Sequence, residues 1–185
     1  MKYLTACGIV IIILWFGCLV LTSTSYAVAV QGPDARGIME YVHGSPDVPR
    51  LTERELLHLQ DVTTLIQRTR LVLTILAALA GLMVSYAVFS GSIRPAMTVA
   101  AGISAGSALV IMFAAIFFEA SFLAFHKIAF VNDLWLLPRG SFLLETFPPS
   151  FFRATLVTVI LYMLICSLLL APWKSFLRRM IRGRK

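Results

Sequence analysis

Charged residues are scarce in this chain of 185 residues. They make up 14% of it, against about 25% in ordinary soluble domains, while apolar residues reach 59%. A water-soluble globule is therefore excluded, and the length is better counted in membrane spans of about 20 residues each. That leaves room for four spans and little else.

Cysteine is also rare, and none of it lies in a polar segment. Cys7, Cys18 and Cys166 each fall within an apolar run, which excludes a disulfide framework, a thiol zinc site and a disulfide-forming quinone enzyme. The metalloprotease pattern HExxH, a P-loop, and a GxGxxG stretch between strand and helix are missing too, and no hydrolase nucleophile elbow is indicated. We therefore predict no cofactor.

Four apolar runs predict an all-α membrane protein with a single integral membrane domain. The predicted spans are about residues 6–30, 71–89, 97–125 and 154–172. The two predicted outer segments are residues 31–70 and 126–153, and the predicted basic tail is 173–185. The first run also fits a cleaved signal peptide, because Lys2 precedes it and Ala27 to Ala29 reads small-x-small. Spans two and three are predicted to form an antiparallel hairpin, since only Ser90 to Pro95 separates them. Small residues from Gly102 to Ala108 predict a central position for span three.

The basic residues predict the orientation. Lys2, Arg94 and six residues of the tail lie on one side without an acidic residue, whereas all nine acidic residues and all three histidines lie on the other side or near that end of a span. The positive-inside rule then places both termini in the cytoplasm of a bacterium, in a multi-pass protein of the cytoplasmic (inner) membrane. The two outer segments form a cap on the extracytoplasmic side. No nucleic-acid partner is predicted, because the net charge of +7 resides largely in the tail and no polar domain carries a binding face.

The first outer segment carries a helix start and an acidic and histidine pattern. Thr52 and Glu55 form a T-x-x-E capping box, which predicts a helix beginning at Thr52 that runs into span two. Glu55, His58 and Asp61 recur every three residues and are predicted to share one stripe. A flanking carboxylate fixes the tautomer of a histidine and makes it more basic. The plainer alternative is an amphipathic surface helix with a solvated His58.

The second outer segment places Glu119 and His126 seven residues apart at the edge of span three. Ionisable groups at that depth usually have a partner or a function. The alternative for Trp135 and the many phenylalanines is an aromatic belt at the membrane surface. Because both outer segments are short and cover the mouth of one bundle, His58 and His126 can approach each other.

Two motifs carry a resemblance to a known family. The stretch from Glu55 to Val62 reads E-x-x-H-x-x-D-V, and Phe122 to Trp135 reads F-x-x-F-H-x(5)-N-D-x-W, followed by Phe147-Pro148 and Phe151-Phe152. Over residues 38 to 153 this resembles the lipoprotein intramolecular transacylases, a small four-span bacterial family. The resemblance implies an acyltransferase that moves the sn-2 acyl chain of a diacylglyceryl-cysteine to the α-amine of that cysteine, giving a lyso-form lipoprotein. The implied partners are the diacylglyceryl-modified lipoprotein N-terminus and membrane lipid.

The resemblance also implies roles for particular residues. An α-amine with a pKa of about 7.7–8.0 needs a base, and His58 or His126 is expected to supply it. The other histidine, or Asn132, is expected to donate to the carbonyl oxygen, with Asp61 or Glu55 orienting His58. Substrate-binding roles are expected for Glu55, Glu119, Asp133 and Trp135, whereas His43, in an irregular loop, is not assigned.

Other classes of protein remain as alternatives. His58 and His126 are possible axial ligands of a haem in a four-helix redox protein, although both lie at the outer edge rather than deep in spans. A non-catalytic membrane scaffold or transporter accessory is favoured only by the shortage of polar residues inside the spans. His58, Asp61 and His126 have the right ligand types for zinc, but the outer ligands are too few to predict a metal site. The oligomeric state is not predicted.

Overall fold

The computed structural model describes residues 1–32, 34–47 and 51–172, and within these ranges the secondary structure is helical without a strand. The helices are α1 Lys2–Leu21, α2 Thr24–Gln31, α3 Asp34–Val42, α4 Glu53–Phe89, α5 Ile93–Ile116, α6 Phe118–Ala129, α7 Phe142–Thr146 and α8 Pro149–Leu170. Four stretches of this described part are long and apolar enough to cross a membrane: Lys2–Leu21, Glu53–Phe89, Ile93–Ile116 and Phe142–Leu170. The predicted all-α fold with four spans is confirmed. The predicted basic tail, 173–185, lies outside the described residues.

Helix α4 begins where the capping box predicts. Thr52 has extended backbone angles, its hydroxyl accepts from the Glu55 amide, and the Glu55 carboxylate accepts from the Thr52 amide. The helix contains 37 residues and is therefore about 55 Å long, well beyond the roughly 30 Å of a bilayer core. Its apolar run from Leu71 onward is long enough for a crossing by itself, so its first turns are not needed for the crossing and pack beside the outer segments.

Helices α1 and α5 lie at the centre of the bundle. Helix α1 packs against α4 and α5, and α5 packs against α8. The buried residues of α5 are small: Ala96, Ala100, Ala101, Ser104 and Ala108. The predicted central position of span three is thus confirmed. The turn between α4 and α5 is present, with Gly91 at φ +70, but the hairpin prediction is wrong about packing, because the two helices make few contacts with each other and both pack on α1.

Two of the predicted spans are interrupted. The first divides at Thr22 and Ser23, where the Thr22 hydroxyl donates to the Cys18 carbonyl at 2.7 Å and a new helix then begins. The third divides at Phe117, whose ψ of 45° ends α5 before α6 starts. The first break coincides with the polar stretch from Thr22 to Ser25, whereas the break at Phe117 falls within an apolar run and is not predicted by hydropathy.

The outer segments form the expected cap. Ile38 and Val42 of α3, Leu59 of α4 and Leu143 of α7 are buried together in one apolar cluster. Burial of these side chains holds the short helices over one end of the bundle. The first turns of α4 are therefore enclosed by chain from both outer segments.

Candidate active site

Glu55 joins the start of α4 to α7. Its carboxylate is 1% exposed, and its Oε1 accepts from the Leu143 amide at 2.8 Å while Oε2 accepts from the Thr52 amide at 2.9 Å and the Thr52 hydroxyl at 2.6 Å. Burial opposes the charged form of Glu55, but these hydrogen bonds outweigh burial and hold the pKa of the carboxyl below its usual value. Glu55 is thus an anchor of the cap, with both oxygens engaged inside the protein.

Asp61 and Asn132 make a second link between α4 and the loop after α6. The Asn132 Nδ2 donates to Asp61 Oδ2 at 2.9 Å, and the Asn132 Oδ1 accepts from the Leu134 amide at 3.0 Å. Two turns earlier on α4, the Arg54 guanidinium donates to the Asp133 carbonyl oxygen. These contacts fix the loop on α4 and set the position of the ring that follows it, Trp135.

His58 and His126 lie together beneath this loop. Their ring centroids are 6.3 Å apart, and the side chains are 7% and 9% exposed. The Phe130 ring contacts both, at 5.3 Å from His58 and 5.6 Å from His126. The predicted approach of the two histidines is confirmed, and it occurs in a largely dry, aromatic setting.

The tautomer of His126 is fixed by its own helix. Its Nδ1 lies 2.8 Å from the Phe122 carbonyl oxygen, four residues back in α6. Because a carbonyl only accepts, Nδ1 carries the proton, and in the neutral ring Nε2 keeps its lone pair. Phe122 and Trp135 lie 4.1 and 5.1 Å from the ring, so aromatic faces are available to stabilise a positive charge on it.

His58 is held neutral, so the expectation that a flanking carboxylate makes it more basic is wrong. Burial first, and the neighbouring His126 second, lower its pKa to about 4, against the opposing effect of the Asp61 charge. Its Nδ1 is buried without a hydrogen-bond partner in the described part of the chain. A buried polar atom left unpaired is costly, so a polar group that pairs with the His58 ring would be favoured at this position.

The two histidines open onto one apolar cavity of about 280 Å³. Its walls come from the outer end of α1, the cap and the first turns of α8, including Leu21, Ile66, Phe147 and Phe152. Apart from the histidines, its polar side chains are few, such as Thr22 and Thr155. A cavity of this kind accepts a hydrocarbon chain with a reactive group at the histidine end.

The structure brings together only part of the predicted site. Trp135 lines the cavity, whereas Asp61 and Asn132 line a neighbouring groove. Glu119 lies elsewhere, 79% exposed and paired with Arg153, and the Asp133 side chain is exposed. Glu55, His58 and Asp61 follow one another every three residues along α4, but the three side chains contact three different neighbours.

Sequence reasoning missed several features of the site. Phe130, the ring that contacts both histidines, belongs to no motif. The Phe122 carbonyl that pairs with His126 is four residues back, as helix geometry requires, but it was not predicted either. The stretch from Gly102 to Gly106 reads G-x-S-x-G, the spacing of a hydrolase nucleophile elbow. It lies inside α5 rather than at a strand-to-helix turn, and Ser104 is fully buried in the bundle.

The zinc alternative finds no support in the described residues. No group of three or more His, Cys, Asp or Glu side chains there is placed to hold a metal ion. Asp61, the third ligand of the hypothetical site, is hydrogen-bonded to Asn132.

The fold and site define a small multi-pass membrane protein with paired histidines at the head of an apolar cavity. The family model described as lipoprotein intramolecular transacylase Lit matches residues 35–152, well over half of the chain. The chain belongs to this family, whose function is transfer of the sn-2 acyl chain to the lipoprotein amine, and it is accordingly an acyltransferase. The resemblance read from the two motifs is confirmed.

Solved structures share the fold. The membrane-integral lipoprotein intramolecular transacylase Lit from Bacillus cereus gives a TM-score of 0.72 at 18% identity, covering 99% of this chain and 95% of that one. A variant of the same protein with one mutation gives a TM-score of 0.67 at 17% identity, covering 100% and 93%. No curated protein matches the chain by sequence.

Proposed function

We propose that His126 is the general base and His58 the carbonyl-oxygen donor of an intramolecular acyl transfer on diacylglyceryl-modified lipoproteins. The observation that carries this assignment is the hydrogen bond from His126 Nδ1 to the Phe122 carbonyl, which leaves Nε2 as the proton acceptor. His58 remains neutral because its pKa is lowered to about 4, so it brings an N–H to the carbonyl without competing for the proton. Repulsion between two adjacent positive charges disfavours protonation of both histidines at once.

The step balances without a second substrate. The α-amine nitrogen attacks the sn-2 ester carbonyl and gives its proton to His126 Nε2, while the carbonyl oxygen gains charge beside His58. The ester C–O bond then breaks, and the protonated His126 returns the proton to the departing glyceryl oxygen. One ester becomes one amide and one free hydroxyl, and holding both reactants in one cavity supplies most of the rate advantage.

The other residues of the site act by position. Asn132, pinned between Asp61 and the Leu134 amide, fixes the loop that carries Trp135 against His126. Glu55 fixes α7, whose Leu143 and Leu144 line the cavity. Trp135 and the apolar wall are the proposed contacts of the acyl chain. Membrane lipid is expected to surround the exposed apolar side chains of the spans, such as Leu79 and Leu82 of α4.

The proposed function is tested by identifying the lipoprotein product that the chain forms. Expression of the chain in a bacterium that makes diacylglyceryl lipoproteins but no lyso form is expected to yield lipoprotein N-terminal peptides with one amide-linked and one glyceryl-linked acyl chain. Mass spectrometry of these peptides measures the conversion. An unchanged diacylglyceryl form at normal membrane abundance of the chain contradicts the proposed reaction and returns the chain to a scaffold role.

The orientation is a separate expectation. The charge asymmetry predicts that both termini lie in the cytoplasm and that the histidine pair lies on the extracytoplasmic side of a bacterial cytoplasmic membrane. A reporter that is active only outside the membrane is expected to be active when fused at Gly44 or Gly140 and inactive after Lys185. Activity after Lys185 would refute the four-span topology, and inactivity at Gly44 would place the histidines on the wrong leaflet for lipoproteins.

A further inference from the structure

A second depression flanks the histidine pair. This groove, of about 180 Å³, lies between one face of α4, with Asp61, Thr64 and Arg68, and the segment 129–132. The apolar cavity uses a neighbouring face of the same helix, with His58 and Ile66. The two spaces therefore lie on adjacent sides of α4.

Phe130 is the partition between the groove and the histidines. It lines the groove, and its ring contacts both imidazoles at 5.3 and 5.6 Å. A group bound in the groove is therefore one aromatic ring away from the reacting pair.

Asp61 is the carboxylate that lines the groove, and one of its oxygens accepts no hydrogen bond from the described residues. Both oxygens of Glu55 are engaged, and Glu119 is paired with Arg153 on an exposed surface. In the described part of the chain Asp61 accepts one hydrogen bond, at Oδ2, from an Asn132 that is itself pinned. The carboxylate is thus fixed in place with Oδ1 uncommitted.

The substrate brings the matching charge. Its α-amine is mostly protonated at neutral pH, since such groups have a pKa of about 7.7–8.0. An ammonium entering a largely apolar site is unfavourable without a counter-charge, and the cavity beyond His58 offers none.

We propose that the groove beside Asp61 binds the α-ammonium of the lipoprotein cysteine before acyl transfer, an inference that rests on the proposed function. The carboxylate holds the ammonium next to Phe130 until the ammonium loses one proton to bulk water, which leaves His126 Nε2 unprotonated for the transfer step. The neutral amine no longer attracts Asp61 and moves past the Phe130 ring to the ester. Asp61 is thereby a substrate-binding residue that recognises charge, beyond its link to Asn132.

The test uses two unreactive lipopeptides in nanodiscs. Both carry an sn-2 ether in place of the ester, and they differ only in having the α-amine or a hydrogen at that position. The wild-type chain is expected to bind the amine form about tenfold more tightly at pH 7, the gain expected from a hydrogen bond to a charged group. This preference is expected to disappear as the pH rises above the pKa of the amine. Asp61→Asn keeps an oxygen for Asn132 but is expected to bring the two affinities within about twofold of each other.

Two further variants separate charge from structure. Asp47→Asn removes an exposed carboxylate of the cap and is expected to keep the wild-type preference. Asn132→Ala removes the hydrogen bond but not the Asp61 charge, so the preference for the amine form is expected to survive even where turnover falls. Equal binding of both lipopeptides by the wild-type chain, or an intact preference in Asp61→Asn, overturns the inference. If the wild-type chain converts the ester substrate at the same time, only the groove assignment fails; if it does not, the proposed function fails.

Discussion

Replacing either histidine with alanine is expected to abolish the lyso-form product while leaving the chain inserted in the membrane. Loss of a general base or of an oxyanion donor costs on the order of a hundredfold or more in rate. Because the two side chains act on one reacting centre, the double variant is expected to be scarcely worse than either single variant. The measurement is the converted fraction of lipoprotein N-terminal peptides at matched membrane abundance.

The roles of the two histidines are separated by amide substitutions. His126→Asn keeps an N–H for the Phe122 carbonyl but has no basic nitrogen, so it is expected to be as inactive as His126→Ala. His58→Gln keeps an N–H donor, so it is expected to retain more activity than His58→Ala. If His126→Asn retained activity and His58→Gln were as inactive as His58→Ala, the roles of base and donor would have to be exchanged.

His43 provides the control for these variants. It is exposed in the cap and does not line the cavity. His43→Ala is expected to convert lipoprotein at nearly the wild-type level. Normal conversion by His58→Ala or His126→Ala would remove that residue from the mechanism.

Replacing Glu55 with glutamine is expected to lower the free energy of unfolding by about 1–3 kcal/mol, the cost of leaving buried donors unpaired. The amide puts an N–H where one carboxylate oxygen now accepts from the Leu143 amide or from Thr52. The loosened α7 is expected to lower activity as well. Unfolding of the detergent-solubilised protein with temperature measures the first effect.

A pH series and a control substitution at the neighbouring Glu53 test whether the buried hydrogen bonds of Glu55 cause this loss of stability. The folded pKa of Glu55 lies below its ordinary value of 4.5, so its stabilisation is fully present above that pH and is lost as the pH falls through the folded pKa. The difference between wild type and Glu55→Gln is therefore expected to be constant from pH 7 to 5 and to shrink below. Glu53→Gln, exposed on the same turn, is expected to change stability little. Equal effects of the two variants would show that the buried hydrogen bonds are not the cause.

Composition and local pattern determined much of this protein. Long apolar runs have no soluble alternative, so four helices follow from hydropathy alone. The start of α4 was predictable because a capping box is satisfied by residues three apart, within one turn. The meeting of His58 and His126 was predictable because two short outer segments have only one bundle end to cover.

Tertiary structure decided what each site residue touches. Side chains three residues apart on a helix differ by about 60° in direction. Glu55 therefore meets the Leu143 amide of α7, His58 faces the cavity, and Asp61 meets the Asn132 side chain. The break at Phe117 lies in an apolar run that hydropathy does not divide, whereas the polar residues from Thr22 onward mark the first break in the sequence. The three carboxylates also differ in their partners: both oxygens of Glu55 accept hydrogen bonds, Glu119 is paired with Arg153 at the surface, and one oxygen of Asp61 has no partner among the described residues. These partners lie up to 88 positions away in the sequence. Such contacts form only when distant segments pack together. The motif therefore identifies the site residues, but only the fold determines what each of them contacts.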